Sequence, residues 1–105
     1  MKKSYEISYL PIARKDIFDL MLYIADQLHA PDSALRIVDA VDNAVKQLAT
    51  FPYSYPVYRL IRPLATEYRL LPVENYNVFY TVSEDCKIVE IHRALYAKMD
   101  VIKKL

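Results

Sequence analysis

The sequence predicts an α+β fold of two layers, in which an N-terminal strand and an antiparallel helix hairpin precede a three-stranded antiparallel meander. Apolar residues recur at three-and-four spacing in the first half of the chain, which is typical of amphipathic helices. Short runs rich in β-branched and aromatic residues fill the second half. The chain has 105 residues and 54% of them are hydrophobic, which suits one core, so we expect a single domain over residues 1–105.

The first two elements are a strand and a helix. Residues 5–9 alternate larger apolar and polar side chains, as a half-buried strand does. Pro11 fits the first turn of a helix, where its missing N–H would have had no partner. Apolar residues from Ala13 onward then predict a first helix that extends to about Leu28. Asp16, Asp19 and Asp26 are expected on its solvated face and not at a metal site.

A second helix follows a short break. Pro31 disfavours a helical residue before it, and Asp32 or Ser33 can cap a new helix. An apolar stripe from Ala34 to Leu48 continues that helix. Two amphipathic helices joined so closely are expected to form an antiparallel hairpin.

The meander comes after an aromatic, proline-punctuated segment at residues 53–58, which we expect to be a structured loop or edge. Strands are predicted over 68–73, 76–82 and 87–95, with hairpin-length connections between them. Because the chain has no glycine, Asn75 is the residue expected to take the left-handed conformation in the first connection. The element order leaves the helices one face of the sheet to cover.

Composition excludes several classes of protein. The absence of glycine excludes the phosphate-binding glycine loops of the P-loop and dinucleotide types. Cys86 is the single cysteine, and His29 and His92 are far apart, so neither a disulfide framework nor a metal site is expected, and no cofactor. The net charge is +1 and no long apolar run occurs. We therefore expect a soluble, cytoplasmic protein that does not contact a membrane.

Residues suited to chemistry concentrate in the meander and its approach. The arginine guanidinium presents several N–H donors in a fixed planar geometry that suits phosphate, whereas histidine and tyrosine commonly transfer protons. On a strand, His92 and Arg93 point to opposite faces, so we expect His92 on the uncovered face and Arg93 near the sheet edge. Each residue alone also suits an ordinary solvated strand position. The candidates are Arg59, Arg62, Arg69, His92, Arg93, Tyr96 and Lys98.

Several local patterns, taken in order, resemble one known family. The matching stretches are Tyr5-Glu6-Ile7, Ala13 to Ile24, Ala34, Leu48 to Pro52, Arg69 to Val73, Tyr76 to Val82, Ile91 to Tyr96, and Asp100. In this order and spacing they resemble the RelE/ParE superfamily, the toxins of type II toxin-antitoxin modules, over nearly the whole chain. The resemblance implies a protein that arrests growth when free and is neutralised by a cognate antitoxin. It implies contact with operator DNA only through that antitoxin.

The resemblance leaves the target open. RelE-like members are ribosome-dependent mRNA endonucleases. In that scheme Arg69 and Arg93 would bind phosphate. Tyr96 or His92 would transfer the proton, with help from Lys98. Arg59 and Arg62 would make further contacts with the RNA.

ParE-like members instead inhibit DNA gyrase without catalysis, and a third alternative is an inactive relic that only binds its antitoxin. Asn77 and Met99 stand where many relatives carry arginine. A net charge near neutral also gives little attraction to RNA, which weakens the nuclease case. The resemblance nevertheless favours translation inhibition by mRNA cleavage as the expectation, with gyrase as the alternative.

Overall fold

A computed structural model describes residues 4–27, 29–57 and 67–97. The elements are β1 (Glu6–Tyr9), α1 (Pro11–Leu22), a π-helical turn (Tyr23–Gln27) that continues α1, α2 (Pro31–Gln47), β2 (Arg69–Val73), β3 (Tyr76–Ser83) and β4 (Ile88–Tyr96). The predicted fold class is confirmed, and each predicted strand end lies within one residue of the observed end. The described part of the chain contains no helix that is both long and apolar enough to cross a membrane.

The strands form one sheet in the order β1-β4-β3-β2. The three strands of the meander pair antiparallel in sequence order, as predicted. β1 pairs parallel with β4, from Glu6 opposite Ile88 to Tyr9 opposite Ile91. The two helices carry the chain across one face of the sheet from β1 to β2 at the opposite edge, and β3 and β4 then bring it back beside β1. The sequence predicts β1 but not its partner, because that pairing joins the two ends of the described chain.

The helices cover one face of this sheet. Ala13 from α1 and Val41 and Val45 from α2 are at most 1% exposed and pack in one cluster with strand residues, among them Val78 and Tyr80. This arrangement gives the predicted two layers.

A second, smaller cluster lies on the other face. Phe79 alternates with Val78 and Tyr80 along β3, so its ring points away from the helices. It packs with Leu95, Tyr68 and Leu70.

The helix starts and ends differ from prediction in two respects. α2 begins at Pro31 and its N-cap is Ala30, with no side-chain capping bond, so neither Asp32 nor Ser33 is the cap. The fixed φ of proline suits the first helical position, and the helix therefore starts one residue earlier. α1 ends at Leu22 and continues as the π-helical turn.

The tight connection between β2 and β3 corrects another prediction. The positive φ, 54°, falls on Glu74 and not on Asn75. In this conformation the Glu74 carboxylate accepts a hydrogen bond from Arg36 of α2, with Nη1 and Oε2 2.6 Å apart. This bond links the hairpin to the helical layer.

Candidate functional site

Four of the seven predicted site residues lie in the described part of the chain, on strands β2 and β4. They are Arg69, His92, Arg93 and Tyr96. The predictions for Arg59, Arg62 and Lys98 fall outside the described residues.

Arg69 begins β2 on the side of the sheet that faces the helices. It is the strand partner of Tyr80, whose side chain belongs to the helix-side core. Its Nη1 donates to the Tyr55 carbonyl oxygen over 2.8 Å, and its guanidinium carbon lies 4.8 Å from the centre of the Tyr53 ring. Arg69 therefore fastens the segment that follows α2 to the start of β2.

A β-bulge places His92. Tyr80 pairs with Ile91 and Phe79 pairs with Arg93, so the residue between them on β4 has no strand partner. Bulges of this kind redirect side chains and bend the strand locally. His92 points away from the helices, as the alternation along β4 predicts.

The surroundings of His92 hold its ring in place. Nε2 lies 3.0 Å from the Thr81 hydroxyl, and the Tyr68 ring meets the imidazole edge to face with centroids 5.1 Å apart. Burial lowers the pKa of His92 below 6.5, and the Glu90 carboxylate, 3.8 Å away, partly opposes this shift. The imidazole is therefore neutral at pH 7 and able to accept a proton.

Arg93 is held by an ion pair with helix α1. Its Nε and Nη2 donate to the two carboxylate oxygens of Asp16 over 2.7 and 2.8 Å. The Ala94 N–H donates to the same carboxylate over 3.1 Å. The side chains are 14% and 11% exposed, which corrects the expectation that Asp16 lies on a solvated helix face.

Tyr96 ends β4, far from Arg69. Its strand partner is Tyr76, which in turn pairs with Val73 at the far end of β2. The four residue steps from Arg69 to Val73 span roughly 13 Å at about 3.3 Å per step. Arg69 and Tyr96 therefore lie at opposite ends of the sheet, whereas Arg69 and His92 lie on opposite faces. Of the four described site residues, only His92 and Arg93 are neighbours.

A polar cluster that the sequence did not predict lies at the end of the sheet near Arg69. The Glu84 carboxylate accepts hydrogen bonds from the Tyr5 and Tyr53 hydroxyls, the latter over 2.6 Å. Lys87 donates to the other carboxylate oxygen over 2.6 Å. These donors, led by Lys87, lower the pKa of Glu84 to about 2. One carboxylate in the β3–β4 turn therefore connects that turn to the residue that precedes β1 and to the segment that follows α2.

A cleft lies between β1 and the two helices. Its volume is about 240 Å³, and Tyr9 lines it with its hydroxyl 3.4 Å from an Asp42 carboxylate oxygen. Burial raises the pKa of Tyr9 to about 12, so its phenol stays protonated. The remaining lining residues are Arg14, Ile17, Val38, Asp39 and Val41.

The described residues form an open four-stranded sheet with a helix pair on one face. The model of the family described as "ParE toxin of type II toxin-antitoxin system, parDE" matches residues 7–101. The chain belongs to this family, within the RelE/ParE superfamily, and is a type II toxin.

Solved structures with the same fold include three toxin-antitoxin systems. The chromosomal ParDE system of P. aeruginosa matches with a TM-score of 0.73 at 18% identity, covering 90% of this chain and 98% of that one. The RelBE2 complex of Mycobacterium tuberculosis gives 0.63 at 20% identity, covering 89% and 98%. The archaeal RelE-RelB complex of Pyrococcus horikoshii gives 0.51 at 15% identity, covering 90% and 97%. No curated protein matches the sequence.

Proposed function

We propose that this toxin arrests growth by binding DNA gyrase and has no catalytic activity of its own. The observation that supports this proposal is that Arg69, Tyr96 and the His92–Arg93 pair, the predicted site residues that the structure describes, do not converge on one point. Catalysis requires acid-base and phosphate-binding groups within about 3 Å of the reacting atoms. Arg69 and Tyr96 are at opposite ends of the sheet, and the guanidinium of Arg93 is bound by Asp16. The match to the ParE family favours the same target.

Pulse labelling after induction distinguishes the two targets. We expect thymidine incorporation to stop before methionine incorporation, with transcripts intact on ribosomes. Purified toxin is expected to inhibit supercoiling by gyrase at near-stoichiometric amounts. His92→Gln is the matched variant. We expect it to keep its inhibition of gyrase, because a contact with gyrase elsewhere on the surface does not need an imidazole. Cleaved transcripts together with early loss of protein synthesis would contradict the proposal.

Ribosome-dependent mRNA cleavage is the second candidate, and His92 is the observation that favours it. Its imidazole is neutral and lies on the sheet face away from the helices, where the Thr81 hydroxyl and the Tyr68 ring orient it. A neutral imidazole can take the proton of an attacking 2′-hydroxyl. This candidate requires that His92→Gln abolish both growth arrest and transcript cleavage while the protein stays folded.

We also propose a cognate antitoxin as the partner and the cytoplasm as the location. The RelBE2 and RelE-RelB structures are toxin-antitoxin complexes, and the matching family is defined by such modules. Any binding to operator DNA would then pass through the antitoxin. Co-expression with the product of the adjacent reading frame is expected to give a complex that co-purifies and to restore growth. Independent purification of the two chains, with no rescue, would count against this partner.

A further inference from the structure

The outer edge of β1 carries backbone groups that have no partner in the described part of the chain. The Leu10 N–H donates into β4 over 3.0 Å, so the even-numbered residues of β1 direct their backbone groups toward β4 and the odd-numbered ones direct theirs away. On that outer side the Tyr5 N–H donates to the Ala49 carbonyl oxygen over 2.7 Å. Beyond this bond, the N–H and C=O groups of Ile7 and Tyr9 form an open edge, because no described strand lies beside them.

The opposite edge of the sheet, strand β2, is closed to an added strand. Leu70 and Pro72 are the residues that direct their backbone away from β3. The Leu70 N–H is already used, since it donates to the Pro56 carbonyl oxygen over 3.2 Å. Proline has no N–H, and an edge proline is one of the features that prevent pairing with another chain. Of these two edges, only β1 can accept a further strand.

The cleft between β1 and the helices lies on one side of this open edge, and Tyr9 belongs to both. Arg14 is stacked on the Tyr9 ring, with its guanidinium carbon 5.1 Å from the ring centre. Asp42 accepts from the Tyr9 hydroxyl and pairs with Lys46 over 3.1 Å. Asp39 also lines the cleft, is exposed, and has no ion-pair partner among the described residues. Aliphatic side chains complete the lining. The cleft therefore suits a lysine or arginine side chain, whose stem is apolar and whose charged end would reach Asp39.

The other side of the edge is acidic. Ile7 and Tyr9 pack toward the helix-side core, so Glu6 and Ser8 point to the opposite face of the sheet. Glu90 is the strand partner of Ser8 and lies on that same face. A peptide along the edge of β1 would therefore meet carboxylates on both of its faces.

We propose that an extended, basic segment of the antitoxin adds to the sheet along the outer edge of β1. The inference rests on the antitoxin partner proposed above. Main-chain hydrogen bonds to Ile7 and Tyr9 hold the segment, and its side chains alternate between the two faces, where lysine or arginine meets Asp39 on one side and Glu6 and Glu90 on the other. Open sheet edges bind extended peptides in this way. A helical segment cannot make these bonds, because its backbone groups are already bonded within the helix.

Hydrogen exchange measured by NMR tests the added strand, on the full-length toxin alone and in complex with the product of the adjacent reading frame. In the free toxin the Ile7 and Tyr9 amides are expected to exchange fast, whereas the Ser8 amide, which faces β4, exchanges slowly. In the complex we expect exchange at Ile7 and Tyr9 to slow at least ~10-fold. Ser8 is the internal control, because its amide has a partner in both states.

A charge reversal tests the basic character of the segment. Asp39→Lys places a like charge beside the incoming lysine or arginine and is expected to raise the dissociation constant of the complex at least ~10-fold. Asp26→Lys is the matched control, since Asp26 is equally an exposed helical carboxylate but lies in the π-helical turn, away from the cleft. It is expected to leave the constant unchanged. Circular dichroism checks that both variants are folded.

Four outcomes would overturn the proposal, and they are distinguishable. Slow exchange at Ile7 and Tyr9 in the free toxin would mean that the edge is already covered. A complex in which both amides exchange as fast as in the free toxin would exclude strand addition and leave the antitoxin as the partner. Equal affinities for wild type and Asp39→Lys would exclude a basic segment in the cleft. Failure to form any complex would contradict both this inference and the partner on which it rests.

Discussion

Asp16 and Arg93, which are 77 positions apart in sequence, form a two-pronged ion pair that joins helix α1 to strand β4. β1 pairs with β4 only as far as Ile91. Beyond that point none of the strands in residues 4–27, 29–57 and 67–97 lies beside the edge of β4, and the Ala94 N–H at this edge donates to the Asp16 carboxylate. The carboxylate therefore accepts an N–H at the edge of β4 and pairs with a largely buried guanidinium at the same time.

Asp16→Ala is expected to lower the free energy of unfolding by roughly 2–4 kcal/mol, because it removes a two-pronged ion pair between two largely buried side chains. Arg93→Lys keeps the charge but loses the two-pronged geometry, and is expected to lose about half as much. Urea denaturation measures both. The exposed Lys15–Asp19 pair provides the control, since Asp19→Ala is expected to cost less than ~0.5 kcal/mol. Equal losses for Asp16→Ala and Asp19→Ala would contradict this account.

Tyr80 provides a second stability prediction, through a single hydroxyl. Its side chain is fully buried, and the hydroxyl donates to the Pro52 carbonyl oxygen over 2.8 Å. Tyr80→Phe removes that donor, and we expect a loss of about 1–2 kcal/mol in urea denaturation. Tyr23→Phe makes the same chemical change at an exposed ring and is expected to have almost no effect. A Tyr80→Phe variant as stable as wild type would show that the bond contributes nothing.

Replacing His29 by glycine is expected to stabilise the protein, because His29, between the π-helical turn and α2, has a φ of 50°. The left-handed region costs a residue with a Cβ about 1 kcal/mol, whereas glycine enters it freely. We expect His29→Gly to raise the free energy of unfolding by ~0.5 kcal/mol. The same change in the middle of α2, Asn43→Gly, is expected to lower it by a few tenths of a kcal/mol. Two losses of equal size would mean that His29 is not strained.

The sequence predicts those parts of the fold that depend on local periodicity. Apolar spacing from Ala13 to Leu48 and alternation in the three meander strands are local patterns, and both are confirmed. The partner of β1 could not be predicted, because nothing within four residues of it specifies pairing with β4. Glu74 takes the positive φ of this turn, and its carboxylate pairs with Arg36, which is distant in sequence, so no local pattern indicates that contact.

The candidate site shows the same limit. Residue type and strand alternation predict the face on which His92 lies. The bulge opposite Tyr80 that sets its position, and the Asp16 partner of Arg93, both arise from tertiary packing. Asp16 carried one signal, since it lies three residues after Ala13, on the buried side of α1. Whether Arg69, His92, Arg93 and Tyr96 act in toxicity stays a prediction.

The hydrogen bonds of Glu84 predict that two segments of the chain, residues 4–9 and 51–57, open together by local unfolding. Its carboxylate binds Tyr5 ahead of β1 and Tyr53 in the segment after α2. Glu84→Gln removes the charge that attracts both hydroxyls and Lys87, so we expect faster hydrogen exchange at residues 4–9 and 51–57 together. Glu74→Gln, in the other hairpin turn, is expected to leave both segments protected. Faster exchange in only one segment would show that Glu84 does not couple them.

The lowered pKa of His92 predicts how stability depends on pH. In the unfolded chain the imidazole titrates near 6.5, and burial lowers its pKa in the folded protein. Below pH 6.5 the unfolded state therefore binds the proton first, and the free energy of unfolding falls as the pH falls toward the folded pKa. The slope due to this one group is at most about 1.4 kcal/mol per pH unit, and above pH 6.5 the contribution of His92 is constant. Urea denaturation between pH 8 and 5 measures the free energy of unfolding of the wild type and of His92→Gln. The difference between the two removes the contribution of the carboxylates, which both proteins share. We expect that difference to narrow below pH 6.5, and an NMR titration that placed the pKa of His92 above 6.5 would contradict the prediction.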